Sequence, residues 1–247
     1  MGIPMSIDVR DADGETAADA ACAAFARLRA ADARFSRYRD DSEVSAVNRG
    51  ELAVNDYSAE LREVIALGGD AERVSGGAFS LRAPDGSLDT DGVVKGWAAA
   101  RAARELDTRR IRTYCLNAGG DVVVSGAPEG AAGWNVGIRS VDDPQTMMAV
   151  LTVADAAVAT SGAYERGQHI RDGRTGRPAD ALTSATVIAA DLTTADILAT
   201  LVFAMGTDGM RVALENGATG VLVRTVDGQL LGGGDVPLAS PAPPSLR

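Results

Sequence analysis

Between residues 111 and 160 the chain runs through five short apolar-rich segments, at 111–116, 122–125, 134–139, 147–153 and 157–160. Each has strand length and strand-favouring side chains. The gaps between them are too short for the crossover of roughly a dozen residues that a parallel neighbour requires, so the spacing predicts an antiparallel meander. Residues 117–121, Asn-Ala-Gly-Gly-Asp, form a tight glycine-led connection inside it. Helical periodicity surrounds the strands. Ala18, Cys22, Phe25 and Leu28 share a face of a helix over 15–34. Ser42 is a suitable N-cap for a short helix with Glu43 in its first turn. A second amphipathic helix covers 58–74 and stops at Gly76-Gly77, and further helices are expected at 94–106, 193–205 and 208–216. Strands are expected at 5–9, 186–190 and 219–226. Residues 78–91, with Pro84, Asp85-Gly86 and Asp91-Gly92, read as turn, and 162–180 as a polar loop or broken hairpin. No repeat, linker or charge block divides the chain. The expected fold is one α+β unit of two lobes spanning 1–236, with mixed or antiparallel sheets and packed helices, followed by a disordered Pro- and Ser-rich tail at 237–247.

The rare residues narrow the chemistry. The single histidine, His169, rules out a zinc site with two or three histidine ligands from this chain. The two cysteines, Cys22 and Cys115, form no CxxC, which removes zinc ribbons, iron–sulfur clusters and thioredoxin-type motifs. They read as small apolar groups in a reducing compartment. Remaining metal chemistry must use oxygen ligands, which suits Mg2+. With 24 Lys+Arg against 34 Asp+Glu, a net charge of −10, nucleic acid is not an expected partner. The N-terminal residues lack the pattern of a signal peptide, and the longest apolar stretch, near 197–205, is too short to span a bilayer, so a cytoplasmic location is expected for the chain as given.

Four constellations could carry chemistry. Asp196 and Thr200 lie four residues apart on one helix face, a carboxylate and a hydroxyl suited to Mg2+, although a dipole-favoured Asp and a back-bonded Thr would give the same letters. Asp89-x-Asp91-Gly92-Val-Val-Lys95-Gly96 joins a turn to a helix start, where free N–H groups and Lys95 could meet a phosphate; a capped helix with a solvated lysine is the alternative. It is not GxxxxGK[ST], so it is not a P-loop. Residues 117–121 could let the backbone approach a ligand closely, or could be a plain turn. His169, in a glycine-rich polar segment with Asp172 near enough to orient it, is a candidate general base or a bystander.

Taken in chain order, these segments resemble the FAD:protein FMN transferases, the ApbE family. Phe35-Ser-Arg-Tyr38 with Asp41-Ser-Glu-Val-Ser45 and Asn48 is similar to that family's first flavin-site motif, and Gly76-Gly-Ala-Phe79 to its second. Residues 89–97 resemble D-x-x-G-x-x-K-G-[YW], and 116–121 its Asn-x-Gly-Gly-Asp turn. Residues 159–166 and 169–176 resemble its histidine segment, and 194–200 its metal helix. The resemblance implies a T-fold-related unit with an FAD cleft between the lobes. It implies Mg2+-dependent transfer of the FMN half of FAD onto a Thr or Ser hydroxyl in the flavinylation motif of an acceptor flavoprotein, with release of AMP. Carried over by residue, Asp196, Thr200 and the Gly92 carbonyl would hold Mg2+. Met1, Tyr38, Ala78, Phe79, Asp89, Lys95 and Ile170 would line the FAD site, and His169 would take the acceptor proton.

The chain departs from the family pattern at Ser80, Ala163 and Gly173, where the usual residues are Asp, Asp and Pro, and its segment 81–88 is much shortened. One FAD wall is therefore expected to be missing or rebuilt. Hydrolysis of FAD to FMN and AMP, or FAD binding without catalysis, remain alternatives at this level. Tyr38 favours transfer, since a bulky phenol can close a flavin pocket against water. Residues 180–186 loosely resemble the acceptor pattern itself, with Thr186 as a self-modification site or, more simply, the start of a strand.

Overall fold

The computed structural model describes residues 2–143, 145–162 and 170–239. Met1, His169 and residues 163–168 and 240–247 lie outside the described residues. The expectations placed on Met1, Ala163, His169 and the last part of the tail therefore have no structural counterpart here.

The framework is a seven-stranded antiparallel sheet: β1 (Met5–Val9), β2 (Tyr114–Ala118), β3 (Asp121–Ser125), β6 (Ala156–Gly162), β9 (Leu182–Ala189), β10 (Ala218–Thr225) and β11 (Leu230–Gly234), in that order across the sheet. The expected meander is interrupted. β4 (Trp134–Arg139) and β5 (Met147–Val153) form a separate hairpin, and the two-residue strands β7 (Arg171–Asp172) and β8 (Arg177–Pro178) another. Trp134, Val136 and Ile138 face one way along β4 and pack with Val122, Val124, Val158, Ile188 and Leu222 of the main sheet. The alternation that looked like a continuing meander is thus a lid of two strands on one sheet face, and β3 passes directly to β6. Pro237–Ala239, expected in the tail, continue this layer: Pro237 O accepts from Thr152 N at 2.8 Å, and Ala239 N donates to Val150 O at 2.8 Å.

The helices cover the other face: α1 (Gly14–Phe35), α2 (Glu43–Asn48), α3 (Ala59–Val74), α4 (Asp91–Thr108), α5 (Leu192–Met205) and α6 (Gly209–Glu215). Ser42 and Ser58 cap α2 and α3, accepting from Ser45 N and Leu61 N at 3.1 Å each. The α4 helix starts three residues earlier than its apolar periodicity predicts, at Asp91, whose N–H donates to the Asp89 carboxylate at 3.0 Å. Ala98, Ala99, Ala100, Ala102 and Ala103 are buried along α4, and these short side chains let α1 and α5 approach closely. Phe35 of α1 meets Trp97 of α4 edge-on, with ring centroids 5.3 Å apart. β9 starts four residues before its predicted position. β11, glycine-rich and without a periodic signal, had no counterpart in the sequence reading.

The stretch Leu192–Glu215 is long and apolar enough to cross a bilayer by composition. It is α5 and α6, joined through a 3₁₀ turn in which Gly206 sits at φ +74°, and its apolar side chains belong to the main core.

Candidate functional site

The sheet, the β4–β5 layer and the start of α4 enclose a cleft of about 1840 Å³. That exceeds the roughly 300–1,000 Å³ of a pocket for one drug-sized ligand. Tyr38, Phe79, Asp89, Gly92, Lys95, Ile170, Asp196 and Thr200 all line it, although they come from segments spread over 163 positions of the chain between 38 and 200. Ala78 does not. It is fully buried behind Phe79, and its carbonyl accepts the Gly173 N–H at 2.8 Å. The Ala78 methyl is buried in the interior, and Phe79, the next residue, lines the cleft.

The centre of the site is the crossing of α4 and α5. Gly96 N donates to Asp196 Oδ2 at 2.7 Å, and Lys95 Nζ lies 3.3 Å from Asp196 Oδ1 and 2.6 Å from Asp121 Oδ2. A Cβ on Gly96 would lie 2.5 Å from Asp196 Cβ and would overlap the Leu192 carbonyl oxygen, so glycine is what allows the contact. Asp196 is 2% exposed. Burial pushes its carboxyl pKa up; Lys95 and the Gly96 N–H oppose that, and Asp121 adds to it. A buried carboxylate so placed gains from any cation that reaches it.

Thr200 follows one turn along α5, as the spacing predicts. Its Oγ1 has a loose 3.4 Å contact with Ser161 Oγ on β6, and a Cβ on Gly92 would stand 3.5 Å from the Thr200 methyl. Asp196 and Thr200 therefore bring a carboxylate and a hydroxyl to one corner of the cleft, beside Gly92. No group of three His, Cys, Asp or Glu residues gathers among the described residues. The oxygens at this corner are instead the Asp196 carboxylate and the Thr200 hydroxyl, with a second buried acid, Asp121, sharing the Lys95 ammonium with Asp196. That donor chemistry fits a hard divalent cation of the Mg2+ type.

Other motif residues turn out to build walls. Asn48 accepts the Leu88 N–H at 2.7 Å and donates to the Leu88 carbonyl at 3.0 Å. This clamps the shortened segment, which closes on itself through an Arg82–Leu88 bridge and puts Arg82, Ala83 and Pro84 on the cleft wall. The wall expected to be missing or rebuilt is rebuilt as this hairpin. Asp89 has both oxygens engaged, one by the Asp91 N–H and one by Arg37 at 2.8 Å. Asp172, assigned to orient His169, accepts two bonds from the Arg174 guanidinium at 2.8 Å, and Arg174 holds its carboxyl below the usual range. Its described partners are in its own turn. Thr186 is fully buried, with its hydroxyl 2.9 Å from that of Thr160, so it is not an acceptor on the surface. Tyr38, expected to close the flavin pocket, is 85% exposed at the rim.

Asp121 ends the Asn-Ala-Gly-Gly-Asp motif, whose letters alone assign it no task. Gly119 and Gly120, at φ +68° and +106°, form the two-residue turn of the β2–β3 hairpin, and Asp121 opens β3 with its side chain inward. Ser161 and the β4 residues had no signal beyond strand alternation, because their role depends on which face of the sheet β4 covers.

The ApbE family model matches residues 1–83 and 80–223. A FAD:protein FMN transferase of Vibrio cholerae is 31% identical over 167 residues, which are 63% of this chain and 50% of that protein. One from Rhodobacter capsulatus is 35% identical over 156 residues, 60% of this chain and 30% of that protein. The chain thus spans about half or less of the length of these curated relatives. The flavin transferase ApbE from Vibrio cholerae superposes with a TM-score of 0.78 at 23% identity, over 97% of this chain and 94% of that one. The apo Pseudomonas stutzeri flavinyl transferase ApbE gives 0.78 at 22% identity, over 94% of this chain and 91% of that one.

Proposed function

The chain belongs to the ApbE family, and from that premise we propose that it transfers the FMN half of FAD to a Thr or Ser hydroxyl of an acceptor flavoprotein, releasing AMP, with Mg2+ held by Asp196, Thr200 and the Gly92 carbonyl. The observation that carries this reading is the convergence of those three residues with Lys95 on one cleft large enough for a dinucleotide and an entering side chain.

Each side chain has a task that follows from its surroundings. The amino end of α4 brings positive potential to the cleft wall, and Lys95 offsets one of the two buried acids there, where a diphosphate would otherwise meet an acidic protein. Asp196, anchored by the Gly96 N–H, and Thr200 offer fixed oxygens. Mg2+ bound there would supply charge neutralisation at the diphosphate and at the departing phosphate of AMP. Phe79 and Tyr38 supply aromatic surface for a flavin ring, Phe79 from within the wall and Tyr38 from the rim. His169 is the residue assigned to take the proton of the acceptor hydroxyl, a role worth roughly 10²–10⁴ in rate. Ile170, the residue after it, lines the cleft.

Hydrolysis is the second reading, and the exposure of Tyr38 favours it to the extent that the phenol leaves the flavin end open to water. Mass spectrometry of the products formed from FAD and Mg2+ separates the two. With a Thr-bearing acceptor peptide present, transfer yields AMP and a flavinylated peptide in equal amounts. Free FMN at the same rate with and without peptide would replace transfer by hydrolysis, and intact FAD in both would remove catalysis altogether. His169→Ala retaining full turnover would remove the assigned base.

A further inference from the structure

Lys95 stands between two buried acids. Its ammonium is closer to Asp121 Oδ2, at 2.6 Å, than to Asp196 Oδ1, at 3.3 Å. The acids are held by backbone donors on opposite sides: Thr160 N donates to Asp121 Oδ1 at 2.9 Å, and Gly96 N donates to Asp196 Oδ2 at 2.7 Å. They are therefore fixed by β3, β6, α4 and α5, whereas the ammonium ends a flexible four-carbon stem and is the part able to move. With Oδ2 of Asp196 committed to Gly96, Oδ1 is the oxygen facing Lys95. A divalent cation binding there competes with the ammonium, because two cations a few ångströms apart in a buried setting repel strongly.

We propose that Asp121 is a positioning residue that takes the Lys95 ammonium from Asp196 when a divalent cation binds, and so sets cation affinity without touching the cation. This rests on the reading of Asp196 and Thr200 as cation ligands. In the cation-free chain Lys95 neutralises one of the two acids and keeps the crossing of α4 and α5 together. When Asp196 is claimed by a cation, Asp121 is already in contact with the ammonium and remains its partner, so no buried charge is stranded.

The proposal fixes opposite signs for two substitutions in the same cluster. In Asp121→Asn the ammonium loses the acid that holds it away and pairs with Asp196, so the cation binds about 10-fold or more weakly. In Lys95→Met the competitor is gone and two acids remain, so the cation binds about 10-fold or more tightly. In the double variant no ammonium competes, and affinity returns to the wild-type value or above. If the two residues only hold the fold together, both single variants bind more weakly.

The experiment is titration of the full chain with Mn2+ alone, without FAD, followed by electron paramagnetic resonance of free Mn2+, with far-ultraviolet circular dichroism to verify folding. Asp196→Asn serves as the control for the site. Weaker binding in Asp121→Asn together with tighter binding in Lys95→Met is the expected result. Weaker binding in Lys95→Met overturns the proposal even if Asp121→Asn fails to fold. If Asp196→Asn binds Mn2+ as well as the wild type, or the wild type binds none, the cation-site reading itself is wrong and the proposal falls with it.

Discussion

Replacing Gly96 by alanine perturbs the site through a single carbon. In an ordinary solvent-facing helix that change adds up to about 1 kcal/mol of stability, because alanine is the better helix former. Here the new Cβ would lie 2.5 Å from Asp196 Cβ, 3.0 Å from Asp196 Oδ2 and inside the contact radius of the Leu192 carbonyl oxygen. The backbone carbonyl cannot rotate away without breaking the first turn of α5, so the two helices must separate. Overpacking of this kind costs about 1–3 kcal/mol. Separation also stretches the 2.7 Å bond from Gly96 N to Asp196 Oδ2, a bond to a charged group worth about 1.5–3 kcal/mol. After the propensity gain, the net loss is about 1.5–5 kcal/mol, or roughly 3–20 °C in melting temperature for a chain of this size. Urea denaturation of wild type and Gly96→Ala, with the slope of each transition compared, measures it. Mn2+ affinity should fall in the same variant. A stability gain of the size expected from helix propensity, with unchanged Mn2+ binding, would refute the close crossing of α4 and α5 as the basis of the site.

Two further outcomes follow from charged and titratable groups. Glu43 links α2 to the start of α3, accepting from Ser58 N and Ser58 Oγ at 2.6 Å each and from Arg34 at 3.0 Å. Burial alone would raise its pKa, but these donors outweigh it and hold the carboxyl below its ordinary value. A depressed folded-state pKa contributes stability above the unfolded value near 4.5 and loses it as pH falls through the folded one. Glu43→Gln should therefore cost about 1–3 kcal/mol at pH 7, with a gap that narrows as pH falls below 4.5, as followed by thermal melts across pH. A gap independent of pH would contradict the charge argument. Burial, and next the Asp8 carboxylate opposite it in the β1–β2 register, push the Cys115 thiol up to about 11. At pH 8 only roughly one thiol in a thousand is then ionised. Peptide mapping after iodoacetamide treatment should find Cys115 nearly unmodified at pH 8, its rate rising about tenfold per pH unit up to pH 10; rapid modification at pH 8 would exclude that environment.

Much of this was legible in the chain. The Asp196–Thr200 spacing, the serine cap at 42, and β4 and β5 were legible because each depends on local periodicity or on a side chain reaching its own backbone. The sheet order was not legible. Strand alternation says that one face of β4 is buried but not against what, so the hairpin that forms the cleft roof was read as part of a meander. The role of Asp121 was not legible for a related reason. Asp121 acts on Lys95 and on the Thr160 backbone, contacts distant in sequence, whereas Asp172 spends its carboxylate on a guanidinium two residues away. Ala78 and Phe79 are adjacent in the chain, and only the fold decides which of them lines the cleft.

The corner of the cleft between α4 and α5 is, on this reading, where a divalent cation meets the diphosphate of FAD. The most direct measurement is the anomalous scattering of Mn2+ in crystals grown with FAD. The account predicts a single strong peak within about 2.0–2.3 Å of an Asp196 carboxylate oxygen and the Thr200 hydroxyl, with the diphosphate completing its shell. A peak elsewhere in the cleft, or a bound FAD whose diphosphate lies away from Asp196, would contradict it.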